Sequence, residues 1–203
     1  MKIYLIRHGE TDWNRATKLQ GQTDNDINEN GVKEAEMAAV RLAEISFEIA
    51  FCSPLIRARH TARILIGSRD IELIEDERLK EINYGIWEGT LDDVAVSDPS
   101  VPLYDFFKHP ERYDPGEDAE SLPQLYDRSS SFVQEVLLPL EKQYETVLVV
   151  AHGALNRSIL NEIEEIPVSD FWHFPMENCS LGIIECRRGK LKLIDYINTM
   201  YGK

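Results

Sequence analysis

Arg7 and His8 stand side by side in LIRHGETDWN, residues 5 to 14, directly behind an apolar run. Two neighbouring groups that both carry positive charge at mildly acidic pH oppose each other's charging, unless something anionic belongs between them. The same residue types recur at two other points, Arg57 in SPLIR and His152 in AHG. Two arginines and two histidines around one small volume would suit a compact anion. Phosphate is the natural one, because guanidinium forks match its oxygens bidentately. Fixed cations and donors also lower the barrier to phosphoryl transfer, in which charge spreads over the equatorial oxygens. One histidine can attack phosphorus through a neutral nitrogen aimed in line with the leaving oxygen, while the other donates to a phosphoryl oxygen. A carboxylic acid must then protonate the departing alkoxide and later help to deprotonate the attacking water.

Such groups have to be brought together by the elements that carry them. KIYLI (2–6), FEIAF (47–51), IELI (71–74) and TVLVVA (146–151) are short apolar runs of the kind that form buried strands. Helical periods separate them: one with Val32, Ala35, Ala39 and Leu42 on its apolar stripe and Asn28 or Asn30 as N-cap, and one after Pro54, which suits a first turn. Further helical periods run over 121–142 and through GALNRSILNEI. NCSLGIIEC and KLKLIDY read as two strands around a turn at 187–189. Strands alternating with helices imply an α/β fold, a three-layer sandwich with a mainly parallel central sheet and helices on both faces. Arg7-His8, Ser53 to Arg57 and His152 each follow a strand, and in such sheets the ligand crevice lies beyond the carboxyl ends of the strands. The whole of 1–203 reads as one domain, with the glycine- and proline-rich stretch of about 82–120 as a lid-like insertion. Tyr84, Trp87, Tyr104, Phe106, Phe107, Tyr113, Trp172 and Phe174 are the aromatics that could line its inner wall, about half of them being expected to pack as core instead.

RHGETDWN, CSPLIRARHTA, LKEINYGIWEG and VVAHGALNR, in this order, closely resemble the four motifs of the histidine phosphatase superfamily, the phosphoglycerate mutase-like fold. The resemblance spans most of the chain. It implies that His8 is the nucleophile that becomes phosphohistidine, that Arg7, Arg57 and His152 bind the transferring phosphoryl group with Asn14 as a supporting donor, and that Glu81 is the proton donor. It implies neither a metal nor an organic cofactor. Glu88 is the closest rival acid; Glu10 and Asp12 rank as structural. Gly9 and Gly153 would allow close backbone approach to the phosphate, and Asn178 would orient a pocket loop. His60 and His109 carry no partner pattern, and His173 in DFWHFP either lines the pocket with Trp172 or, the favoured reading, closes a turn. The expected activity is hydrolysis of a small phosphorylated metabolite of the sugar phosphate, nucleotide or α-ribazole phosphate type. The alternatives are a phosphoglycerate mutase on the same scaffold and a non-catalytic phospho-ligand binding protein. NYGIWEGTLDDVAVSDPS, with no Lys or Arg and three aspartates, would repel a bisphosphorylated acid and favours the hydrolase.

Composition removes other classes. The formal net charge of −14 opposes binding to nucleic acid or an anionic membrane surface. Residues 70 to 120 hold sixteen Asp/Glu against four Lys/Arg, a solvated acidic face that also disfavours large polyanionic substrates. Cys52, Cys179 and Cys186 form no C-x-x-C pair and fit reduced thiols in a cytoplasmic protein; no signal segment or membrane span is evident. Four residues separate Cys52 from Arg57, one short of a cysteine-phosphatase loop, and neither a P-loop nor an H-E-x-x-H metal motif occurs.

Overall fold

The computed structural model of the chain describes residues 1–200. Among these, six strands, β1 (Lys2–Arg7), β2 (Ile49–Cys52), β3 (Glu72–Glu75), β4 (Thr146–Ala151), β5 (Leu181–Arg187) and β6 (Lys190–Ile197), form one sheet in the order β3-β2-β4-β1-β5-β6. β3, β2, β4 and β1 run parallel, and β5 and β6 extend the sheet antiparallel. The expected sheet is therefore mixed at one edge. For the β5-β6 pair the reason is local: Arg188 and Gly189, with φ of 54° and 71°, make a two-residue turn whose left-handed backbone matches hairpin twist and leaves no chain for a crossover.

The helices are α1 (Asp12–Arg15), α2 (Glu29–Arg41), α3 (Ile56–Ile66), α4 (Asp92–Ser97), α5 (Pro102–Lys108), α6 (Leu122–Phe132), α7 (Leu138–Leu140) and α8 (Gly153–Ile163). Successive strand residues face opposite sides, and the interior positions of β1 and β4 are apolar at every step, so both faces must be covered. Tyr4, Ile6, Leu148 and Val150 pack with Ala35 and Ala38 of α2 and Ala58, Ala62 and Leu65 of α3. Ile3, Leu5, Val147 and Val149 pack with Leu122, Leu125 and Phe132 of α6 and with Leu155, Ile159 and Leu160 of α8. The three-layer sandwich follows. Emptying one such fully buried strand position, Val149→Ala, costs on the order of 2 kcal/mol.

Two boundaries differ from expectation. α3 begins at Ile56 with Leu55 as its N-cap, so Pro54 lies in the preceding bend; a loop carboxylate, Asp24, accepts the Ile56 N–H at 2.7 Å in place of a local cap. The 121–142 helix widens into a π-turn at Val133–Leu137, next to Pro139, which has no N–H to return to the preceding turn. Asn28 caps α2 by accepting from Gly31 N–H at 2.9 Å. No helix among the described residues is long and apolar enough to cross a membrane.

The 82–120 stretch contains α4, α5 and single turns, and its aromatics converge on fully buried Phe106. Tyr84, Phe107, Tyr113, Phe171 and Trp172 all place their rings 4.9–5.9 Å from it. Edge-to-face and tilted pairs dominate, the geometry that aromatic quadrupoles favour. Phe106, Tyr113 and Phe174 are core, while Tyr84, Phe107 and Trp172 also reach the cavity described next.

Candidate active site

Sheet order places the carboxyl ends of β2, β4 and β1 side by side, with Arg7 opposite Ala151 and Cys52 opposite Val150. The residues that follow those ends, His8, Ser53 and His152, therefore emerge at one level. Ser53 and His152 are fully buried, while His8 opens on a cavity of about 200 Å³ that Arg7, Asn14, Arg57, Glu81 and Gly153 also line, together with Lys18, Tyr84, Asp92, Phe107, Arg157 and Trp172. That is below the ~300–1,000 Å³ typical of drug-sized pockets. His152, wholly buried, packs its ring 5.2 Å from that of His8.

His8 is pinned at both ends of its peptide. Its N–H donates to Ala151 O at 3.0 Å, and its carbonyl accepts from Asn178 Nδ2 at 3.0 Å and from Cys179 N–H at 3.3 Å. Cys179 holds the left-handed φ of 53° that this approach needs, a backbone strain located at the site. Asn178 thus orients the loop as expected. His8 Nδ1 lies 2.7 Å from Gly9 O. A carbonyl can only accept, so Nδ1 carries the proton and Nε2 keeps its lone pair. Burial, then the charges of Arg57 and Arg7, push the His8 pKa well below its ordinary value, and burial with Arg57 does the same for His152. Both rings are neutral at neutral pH.

The cations are held from behind. Arg57 donates through its two terminal nitrogens to Thr23 O at 2.8 Å and Gly21 O at 2.6 Å. Burial lowers its pKa to about 10, which leaves it charged. Arg7 donates to Met176 O. Buried and without a protein partner are Arg7 Nε, Arg57 Nε and both ring nitrogens of His152. Arg7 Nε, Arg57 Nε and the one N–H of neutral His152 are thus three unused buried donors near His8, an arrangement that suits an anion. Asn14 Oδ1 accepts from Thr11 N–H at 3.1 Å and from Asn178 Nδ2 at 3.3 Å, so by exclusion its amide hydrogens are left for the cavity.

Glu81 is buried against the N-terminus of α8. Its Oε1 accepts from Ile82 N–H at 2.9 Å and Leu155 N–H at 3.0 Å, and Oε2 accepts only from Ala154 N–H at 3.1 Å. Oε2 therefore has the fewer donors of the two carboxylate oxygens. A Cβ built on Gly153 would sit 3.4 Å from Arg157, 3.6 Å from Arg7 Nε and 3.7 Å from Glu81 Oε2, so this glycine keeps the pocket floor open. Gly9 serves otherwise than expected: a Cβ there would meet Gly31 O at 2.5 Å, so its smallness admits α2 rather than a ligand.

Glu88, the rival acid, is engaged by the loop before α2. It accepts from Gln22 N–H and Thr23 N–H, each at 2.8 Å, and from the Thr23 hydroxyl, bracing the loop whose carbonyls hold Arg57. Glu10 pairs with Arg15 and Asn28, and Asp12 with Asn28, both structural. His60 pairs with Asp26, and His173 is exposed in a turn. Arg157 escaped the sequence reading although VVAHGALNR ends on it. It lies one turn after Gly153 on the same face of α8, donates to Phe174 O at 2.9 Å and lies 4.7 Å over the Trp172 ring. Burial brings its pKa down to about 10. Among the described residues no group of three His, Cys, Asp or Glu side chains is arranged to hold a metal ion.

Residues 3–199 match the family model of the histidine phosphatase superfamily, branch 1, and the chain belongs to that family. Phosphoserine phosphatase 1 of Hydrogenobacter thermophilus is 29% identical over 208 residues, covering 99% of this chain and 96% of that one. A 2,3-bisphosphoglycerate-dependent phosphoglycerate mutase of Cytophaga hutchinsonii is 33% identical over 84% of this chain and 81% of its own. The structure of Bacillus stearothermophilus YhfR superposes with a TM-score of 0.87 at 31% identity, covering 95% of each chain. Both hydrolases and mutases thus stand among the relatives.

Proposed function

We propose that the chain is a phosphomonoester hydrolase working through a phosphohistidine on His8. The observation that carries this reading is the His8 Nδ1 contact to Gly9 O, which leaves an unprotonated Nε2 in a site with three buried, unpartnered donors, Arg7 Nε, Arg57 Nε and the one N–H of neutral His152. In the proposed cycle the substrate phosphoryl group lies among Arg7, Arg57, His152 and Asn14. The Nε2 lone pair forms the N–P bond as the P–O ester bond breaks, and the Glu81 Oε2 proton passes to the departing alkoxide. The ionised Glu81 then takes a proton from water, whose oxygen forms the new P–O bond while the N–P bond returns its electrons to His8. Inorganic phosphate and an alcohol leave.

The small cavity and the further cations Arg157 and Lys18 support an alcohol that itself carries a carboxylate, the phosphoserine type suggested by the Hydrogenobacter relative. The same cations favour a second reading, a phosphoglycerate mutase, since Lys18 and Arg157 from other elements could stand in for the basic residues that the 83–100 segment lacks. Against it, Asp92 of that segment lines the cavity and would repel a second phosphate. Assay of phosphoserine hydrolysis alongside 3-phosphoglycerate plus 2,3-bisphosphoglycerate separates the two. Release of inorganic phosphate that disappears in His8→Ala supports the hydrolase; efficient formation of 2-phosphoglycerate sinks it.

A further inference from the structure

We propose that Arg128 and Glu120 form a clamp that positions Glu81 for proton donation, making Arg128 a positioning residue for departure of the leaving group. This rests on the hydrolase reading above. Arg128 stands on α6 and is not part of the cavity wall. Its guanidinium nonetheless spends all five hydrogens around the acid. One terminal nitrogen donates to the carbonyls of Arg78 and Lys80, both at 2.7 Å. The other donates to Glu120 Oε2 at 2.8 Å and reaches Glu81 O at 3.4 Å, while Nε donates to Glu120 Oε1 at 2.8 Å.

Glu120 completes the grip on the far side of Glu81. Its Oε2 accepts from Asn83 N–H at 3.2 Å, and its own N–H donates to Asn83 O at 2.7 Å. Gln22 Nε2 adds a donor to Glu81 O at 3.1 Å. The backbone is therefore fixed at residues 78, 80, 81 and 83, immediately before and after the proposed acid. Asn83 and Glu120 stand at the two ends of the 82–120 stretch, so the hydrogen bonds between them close its neck while the same Glu120 carboxylate holds the Arg128 that braces Glu81. The pair is mostly shielded from solvent, with side-chain exposures of 19% and 13%, unlike an exposed surface pair that contributes little. A lysine cannot replace Arg128, because a point charge lacks the planar fork that reaches two carbonyls and a carboxylate at once.

The test uses leaving groups of different need. An alkyl phosphate requires its oxygen to be protonated as it leaves, whereas 2,4-dinitrophenolate departs without a proton. kcat/KM, which reports only steps through departure of the leaving group, is measured for 2,4-dinitrophenyl phosphate and for the fastest of phosphoserine, 3-phosphoglycerate and glycerol 3-phosphate. General acid catalysis contributes about 10²–10⁴-fold, and a misplaced acid forfeits part of it. Arg128→Met and Glu120→Gln are each expected to lose about 10- to 100-fold on the alkyl ester and under about 3-fold on the dinitrophenyl ester. Arg128→Lys should resemble Arg128→Met. Equal losses on both esters, or no loss on either, overturn the clamp; should Arg128→Met fail to fold, Glu120→Gln decides alone. Undiminished turnover of both esters by His8→Ala overturns the hydrolase reading itself, a result distinct from either.

Discussion

Arg157 is the residue whose removal most directly probes substrate choice. Its guanidinium lies over the Trp172 ring and is bonded to Phe174 O, so little ordering remains when it meets an anion. A hydrogen bond to a charged group contributes about 1.5–3 kcal/mol, which is about 10- to 100-fold. Arg157→Ala should raise KM for phosphoserine by that factor and leave KM for p-nitrophenyl phosphate, which has no carboxylate, within about 3-fold. Equal effects on both would place Arg157 on the transferring phosphoryl group instead. Legibility also varied residue by residue. Arg7 ends β1, His8 and His152 come directly after β1 and β4, and Arg57 lies in the first turn of the helix after β2. All four were therefore visible from strand ends, whereas Arg157 sits a full turn into an amphipathic helix. Only its four-residue spacing from Gly153 marked it, and that spacing means something once the pocket is known to open at the start of α8.

At the scale of elements, the loop between α1 and α2 does as much as any helix. Glu88 accepts its Gln22 and Thr23 amides, and Gly21 and Thr23 return their carbonyls to Arg57. Gly21 has φ of 53°, and a Cβ there would fall 2.1 Å from Glu88 Oε1, so the turn requires glycine. Glu88→Gln should lower kcat/KM by about 10-fold, and by the same factor for alkyl and dinitrophenyl esters, because it disturbs the phosphoryl cradle rather than the acid. A loss confined to alkyl esters would return Glu88 to the role of proton donor. Strand and helix order were legible because apolar runs and periodic stripes are local signals. The division of the 82–120 aromatics between core and cavity was not, since it depends on how five rings from distant segments pack around Phe106.

For the molecule as a whole, burying two neutral histidines beside two arginines ties stability to pH. The folded pKa values of His8 and His152 lie well below the ordinary 6.5, so between those values and 6.5 the unfolded chain binds more protons than the folded one. Stability is then complete above about pH 6.5 and is lost as pH falls through the window, at up to about 1.4 kcal/mol per pH unit for each ring. Urea titrations should show a midpoint falling steadily from pH 7 to pH 5 in the wild type, and falling less in His152→Gln. A midpoint flat over that range in the wild type would mean that the rings titrate in the fold much as they do in the unfolded chain. Bound phosphate should offset the loss, since an anion between the rings favours their charged forms.

Trapping the intermediate tests the central claim most directly. Wild-type protein mixed with ³²P-labelled phosphoserine and quenched in alkali should carry label that survives base, is lost in acid and maps to His8 by mass spectrometry; His8→Ala should carry none. Label on another residue, or turnover with no trappable phosphoenzyme under single-turnover conditions, would contradict the account.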